Sequence, residues 1–282
     1  MAEPAPPRIL RAVPYRGLLT GLVLLFLVAG SGTSGRGELT GATPVRVQPF
    51  TLHSKLLERD FREILLLPAG RTRGRELLVF LHGYTQRTAQ NADWMRPGLQ
   101  ALGTSAPVVL LVDDGDFTSW WHDRASGKWG SYVLQEAIPA ALRRTGADPK
   151  RVLVGGISMG GFGALDLARL APGRFCAVGA HSPALLPREY LSSWRAFDDE
   201  ADFARHDLLS LAAARRLYRV PIYLDVGRTD GLRYPDAAFA KAVRAHGTKI
   251  TFRLVPGGHS GWAGRMDSYL RWYANACPRE GS

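Results

Sequence analysis

Ser158 sits in Gly156-Ile157-Ser158-Met159-Gly160. The apolar run Val152–Gly156 before it reads as a buried strand. Met159–Leu170 after it reads as a helix, stopped by Pro172 and Gly173. A serine between glycines at a strand-to-helix corner is a nucleophile elbow. The turn is too sharp for bulky neighbours, and it holds the hydroxyl above the sheet on strained backbone. The chemistry open to such a serine is attack on an acyl carbon through a covalent intermediate.

A serine hydroxyl needs a base to take its proton and an acid to orient that base. In chains of this type the order is Ser, Asp or Glu, then His, each partner just beyond a strand. His259 meets that requirement. Ile250, Phe252 and Leu254 alternate with polar residues as in a half-buried strand, and Pro256, Gly257 and Gly258 end it. His82, His181, His206 and His246 fit less well. The first closes an apolar strand, the second precedes Ser182-Pro183, the third lies in a charged helical stretch and the fourth in a helix's last turn. Among the acids, Asp230 lies in the turn after the strand Ile222–Val226, whereas the alternate, Asp225, lies inside the apolar run. Asp198, Asp199 and Asp202 read as the solvated face of an acidic helix.

Acyl transfer also needs donors for the developing oxyanion. Met159, after the nucleophile, supplies one backbone amide. The loop closing the strand Leu77–Leu81, through His82 and Gly83, supplies the other from Tyr84.

The elements that must carry these groups alternate. Val45–Leu52 and Phe61–Leu67 read as an opening strand pair, followed by strands Leu77–Leu81 and Val108–Val112. The helical stretch Tyr132–Arg144 carries a kink at Pro139. Beyond the elbow come the strand Phe175–Ala180, the strand Ile222–Val226, a helix bracketed by Pro235 and Gly247, and the strand Ile250–Val255. A final helix has the apolar stripe Trp262, Met266, Tyr269, Leu270 and Tyr273, read as core. This alternation implies an α/β fold with a mostly parallel central sheet and helices on both faces. Ser182–Arg219 has room for one or two helices but no large lid. The insertion 114–129 carries Phe117, Trp120, Trp121 and His122 beyond a strand end, where Trp120 and Trp121 are candidates to bind substrate.

With these residues in place the chain resembles the α/β-hydrolase superfamily, and within it the esterase group that includes esterase D-type enzymes and the antigen 85 mycolyltransferases. The matching segments are 81–84, 129–139, 148–165, 181–185, 225–230 and 256–259. The loop from His82 to Gln86 is also similar to that of secreted polyester depolymerases and feruloyl esterases. The resemblance covers residues 50–275 and implies the triad Ser158, Asp230 and His259, with no cofactor. Substrate-binding segments of the mycolyltransferases find no match, so transfer to trehalose is not implied. The expected function is an exported serine esterase acting on carboxylic esters of an envelope lipid or polymer. The rivals are an acyltransferase with an alcohol acceptor and a non-catalytic envelope-binding protein of the same fold.

The 282 residues, 46% hydrophobic, suffice for one such domain. A net charge of +11 invites a nucleic-acid reading, but the positive residues are scattered and form no aromatic-interleaved cluster, so no nucleic-acid partner is expected. Arg8, Arg11 and Arg16, then the apolar run Leu18–Ala29, then a glycine-rich linker, have the three-part layout of a secretory signal. Residues 1–36 are therefore expected to be a signal peptide or a signal anchor holding the chain to a membrane, and 37–282 the catalytic domain. The oligomeric state is left open. Cys176 and Cys277, the two cysteines, are equally consistent with a disulfide and with separate thiols. No metal-ligand spacing stands out. Asp113, Asp114 and Asp116 share a loop, where pairing with arginines or water is the plainer reading.

Overall fold

Strands β1 (Arg46–Ser54) and β2 (Arg59–Leu67) form an antiparallel hairpin, followed by β3 (Leu77–Leu81). A helix α1 (Thr88–Leu102) leads to β4 (Val108–Val112). The short hairpin β5 (Asp123–Arg124) and β6 (Gly127–Lys128) then precedes α2 (Trp129–Tyr132) and α3 (Ile138–Thr145). The second half runs β7 (Val152–Ile157), α4 (Met159–Leu170), β8 (Ala177–His181), α5 (Glu200–His206), α6 (Leu208–Ala214), β9 (Ile222–Gly227), α7 (Arg233–Ala245), β10 (Ile250–Val255) and α8 (Met266–Ala276). The computed structural model describes residues 44–115, 118–188 and 195–277. The expected signal segment 1–36, Asp116 and Phe117 lie outside the described residues.

The main sheet has eight strands in the order β1-β2-β4-β3-β7-β8-β9-β10. The six from β4 to β10 are parallel, and β2 joins β4 antiparallel. Parallel strands covered on both faces are apolar throughout, which is why β3, β4, β7 and β8 read as unbroken apolar runs. Successive side chains still go to opposite faces. Leu77, Val79 and Leu81 pack with α4, α7 and the α2–α3 segment. Leu78 and Phe80 pack on the other face with Met95 and Leu99 of α1 and with Met266, Leu270 and Tyr273 of α8. The apolar stripe of the last helix is therefore core, as its spacing predicts. The described part of Gly41–Ser282 forms one compact unit.

Pro139 leaves a specific mark. The turn Val133–Ala137, between α2 and α3, is π-helical, and the Ile138 amide reaches back to the Val133 carbonyl. Proline has no N–H and its ring clashes with the carbonyl four residues back, so the chain widens by one residue to pass it. Cys176 and Cys277 are joined in a disulfide with Cα atoms 5.2 Å apart, tying the start of β8 to the end of α8 across 101 residues.

Candidate active site

Ser158 occupies the corner between β7 and α4 with φ 54° and ψ −115°, a strained conformation for a residue with a side chain. Backbone bonds hold it there. Its N–H donates to the His181 carbonyl at 2.9 Å, and its carbonyl accepts the Phe162 and Ala184 amides, each at 3.0 Å. The flanking glycines are dictated by space. A Cβ on Gly156 would lie 2.3 Å from Gly160, and a Cβ on Gly160 would lie 2.0 Å from the Leu81 carbonyl oxygen. The helix start is thus pressed directly against the end of β3.

His259 lies beyond the end of β10. Its Nε2 is 2.9 Å from Ser158 Oγ and its Nδ1 is 2.8 Å from Asp230 Oδ2. Asp230 is buried in the turn after β9, and its other oxygen accepts the Leu232 amide at 2.9 Å. A carboxylate can only accept, so the Nδ1 proton goes to Asp230. Nε2 is left with its lone pair toward the serine hydroxyl, as a general base requires. The imidazole packs edge-on against Trp262 at 5.0 Å and is 39% exposed, against 2% for Asp230. His259 is thus open at the surface while Asp230 is dry.

The alternate acid has a different setting. Asp225 is buried within β9, where His181 Nδ1 donates to its Oδ1 and Tyr269 OH to its Oδ2, each at 2.7 Å. It does not approach His259 through any hydrogen bond among the described residues.

Of the two residues expected to bind the oxyanion, Met159 follows the serine and opens α4, and Tyr84 lies in the turn after β3. The turn is built rigidly. Gly83 N–H donates to Gln86 Oε1 and Gln86 N–H to the Gly83 carbonyl, each at 3.0 Å. Below it, His82 Nδ1 donates to the Gly83 carbonyl at 2.9 Å, and its Nε2 faces Asp114 Oδ1 at 3.3 Å. Burial by itself would lower the His82 pKa. The Asp114 carboxylate more than offsets this and raises it, while the Asp114 pKa is lowered against its own burial by His82. His82 is a strut of the loop.

Trp120 and Trp121 correct an expectation. They were candidates for substrate contact, yet both are buried, at 2% and 0% exposure. The Trp121 indole N–H donates to the His82 carbonyl at 3.2 Å, and Gly163 gives its side chain room against α4. Trp120 packs edge-on against Phe162 and tilted against Tyr84. They support the loop from beneath. The acidic run was read as solvated, but Asp202 is buried, and Asp199 caps α5 by accepting the Asp202 amide at 2.7 Å.

A sheet of this order, with a strained serine after its fifth strand and an Asp-His pair delivered from two later strand ends, defines the α/β-hydrolase fold. Within it, residues 54–274 match the family described as "Putative esterase", and the chain belongs to that family. An esterase of Mycobacterium tuberculosis strain H37Rv is 31% identical over 138 residues, covering 45% of this chain and 30% of that protein. Mouse S-formylglutathione hydrolase is 32% identical over 146 residues, covering 48% of this chain and 51% of the enzyme. The aligned stretch thus spans about a third to a half of those curated relatives. Among solved structures, a ferulic acid esterase superposes with TM-score 0.72 at 20% identity, covering 83% of this chain and all of that one. An S-formylglutathione hydrolase from Agrobacterium tumefaciens gives 0.69 at 22%, covering 84% and 98%. At these identities the superpositions speak for the fold.

Proposed function

We propose that the chain is an exported serine esterase that hydrolyses carboxylic esters. The observation that carries the reading is the imidazole of His259, in hydrogen-bond contact with both Ser158 and Asp230. Ser158 Oγ attacks the ester carbonyl as His259 Nε2 takes its proton. Asp230 holds the imidazole in the competent tautomer and stabilises the cation that forms. The Met159 and Tyr84 amides receive the oxyanion. His259 then returns the proton to the leaving alcohol, and water resolves the acyl-enzyme by the same steps in reverse. No cofactor enters this scheme.

Family membership and the names of the relatives support ester hydrolysis. Export is supported by the signal-like residues 1–36 and by the Cys176–Cys277 pair, since disulfides persist in oxidising compartments. Among the described residues no helix is long and apolar enough to cross a membrane. The test is an ester panel of varied acyl length, aryl esters included, run beside fluorophosphonate labelling. Wild-type protein labels at Ser158 and turns over esters. Ser158→Ala stays folded, does not label and loses about three or more orders of magnitude in kcat. Folded wild-type protein that neither labels nor turns over any ester refutes the proposal. Acid release that gives way to transfer when alcohols are added would redirect it to acyl transfer.

A further inference from the structure

We infer that His122, Asp202 and His206 form a binding site for a divalent transition-metal cation of the zinc class, separate from the Ser158 centre. All three are buried, and their inward ligand atoms lie within 4.8 Å of one another. Asp202 Oδ1 is 3.7 Å from His206 Nε2 and 3.9 Å from His122 Nδ1.

The proton positions make this a site rather than a packing accident. His122 Nε2 is 2.8 Å from the Ala196 carbonyl oxygen, which can only accept, so the proton of a neutral His122 lies outside the cluster. His206 Nδ1 is 2.8 Å from Asp166 Oδ2 and 3.3 Å from the Arg169 guanidinium; the nearer partner is an acceptor, so its proton also points outward. Both inner nitrogens then present lone pairs to each other and to a carboxylate oxygen. His122 Nδ1 is buried without a hydrogen-bond partner among the described residues. Three acceptors facing one another within 4.8 Å, with Asp202 Oδ1 too far from either nitrogen for a direct hydrogen bond, call for a cation.

The surroundings fit. A ligating imidazole ordinarily donates its other N–H to a carboxylate or a carbonyl, and here Asp166 and Ala196 take those roles. Tetrahedral zinc with bonds of about 2.0–2.2 Å would draw the ligand atoms in by a few tenths of an ångström, leaving a fourth position for water. Two imidazole nitrogens and one carboxylate select zinc-class ions over calcium or magnesium, which prefer all-oxygen shells. Arg169 on Asp166 and Arg205 on Asp202 neutralise the two carboxylates before the ion arrives. The Arg205 side chain is largely exposed and is free to release Asp202. The ion would staple α5 to the loop at His122, and Asp166 on α4, the helix that begins beside Ser158, holds His206 from behind.

The test is calorimetric titration of EDTA-stripped, desalted full chain with zinc chloride, with zinc-edge X-ray absorption on the loaded protein. The expected result is one bound zinc with two imidazoles and oxygen ligands at about 2.0–2.2 Å, and no competition from calcium. Asp202→Asn should abolish binding, Asp166→Asn should weaken it by about 10–100-fold, and His259→Ala should leave it unchanged. Wild-type protein that takes up no zinc overturns the inference. So does an absorption spectrum with a single imidazole, or binding lost in His259→Ala. The wild-type spectrum decides the matter even where a buried variant fails to fold.

Discussion

Replacing Asp230 by asparagine changes one atom, and the hydrogen bonds around it dictate the consequence. Asp230 Oδ1 accepts the Leu232 amide at 2.9 Å, so that position must stay an oxygen in Asp230→Asn. The new NH2 group then takes the place of Oδ2, 2.8 Å from His259 Nδ1, and aims a proton at it. Nδ1 must become the acceptor, which moves the imidazole proton to Nε2. From there it points at Ser158 Oγ, 2.9 Å away, and the base has become a donor. A triad locked in the wrong tautomer loses about 10⁴-fold, equivalent to roughly 5.4 kcal/mol of transition-state stabilisation. Asp225→Asn is the matched control. It disturbs the buried bonds to His181 and Tyr269 and should lower the melting temperature, with a loss in kcat/KM per folded molecule well short of the Asp230 effect. The assay is kcat/KM on a p-nitrophenyl ester that the panel shows to be a substrate, with circular dichroism melts on both variants. The reasoning fails if folded Asp230→Asn keeps more than about a tenth of wild-type kcat/KM, or if Asp225→Asn costs more.

Three further perturbations are read from buried groups. Glu63 is fully buried, accepts the Tyr132 hydroxyl and the Asp113 amide, and has its pKa pushed up to about 8, chiefly by burial. A carboxyl raised in the folded state stabilises below its unfolded pKa and loses that contribution as pH rises through the folded value. Glu63→Gln should therefore match wild type near pH 5 and exceed it near pH 9 by on the order of a few kcal/mol in denaturant melts, and parallel pH profiles would contradict this. Asp236, in the first turn of α7, is buried with no hydrogen-bond partner for either oxygen among the described residues. Burial first, and then the negative Asp230, hold its pKa well above the usual carboxylate range. Asp236→Leu should stabilise the protein near neutral pH by about 1–3 kcal/mol, with the gain vanishing below the unfolded carboxyl pKa; a loss of stability at pH 7 counts against the reading. Cys277→Ser opens a 101-residue loop and should cost about 4–5 kcal/mol in denaturant unfolding, and an unchanged midpoint would show that the bridge does not restrain the unfolded chain.

What the sequence made legible is what is local. The elbow is specified within five residues by steric demands that only glycine meets, so β7, Ser158 and α4 are found where their pattern places them. His259 and Asp230 are legible because parallel strands deliver their following loops to one edge of the sheet, so that lying just past a strand is itself three-dimensional information. What failed was long-range. Trp120 and Trp121 look like pocket residues until the His82 carbonyl takes up an indole N–H. Asp202 looks solvated and His206 looks like part of a charged helical stretch because charged neighbours surround them. Their spacing of four puts both on one helical face, and that face meets His122 from a loop eighty residues earlier. Such convergence depends on how far the segment after β8 folds back onto α4, which no window of sequence contains.

The same distinction explains the mid-strand position of Asp225. The base sits on a loop, and a loop tip holds its place only if something rigid reaches it. Arg265 does so, donating to the Ser260 carbonyl at 2.8 Å and to Tyr269 OH at 2.8 Å. Tyr269 OH donates in turn to Asp225, which is bonded to His181, whose carbonyl receives the Ser158 amide. A continuous run of hydrogen bonds therefore passes from the loop carrying His259, through the interior, to the backbone of Ser158. Tyr273 closes it from α8, its hydroxyl 3.0 Å from His181 Nε2 in a space kept open by Gly155 and Gly179, where a Cβ would lie 1.9 Å away. A carboxylate within a strand cannot swing over a serine, but it can hold two loops in register. That is why Asp225, with no contact to the reacting atoms, lies between the elements that carry them.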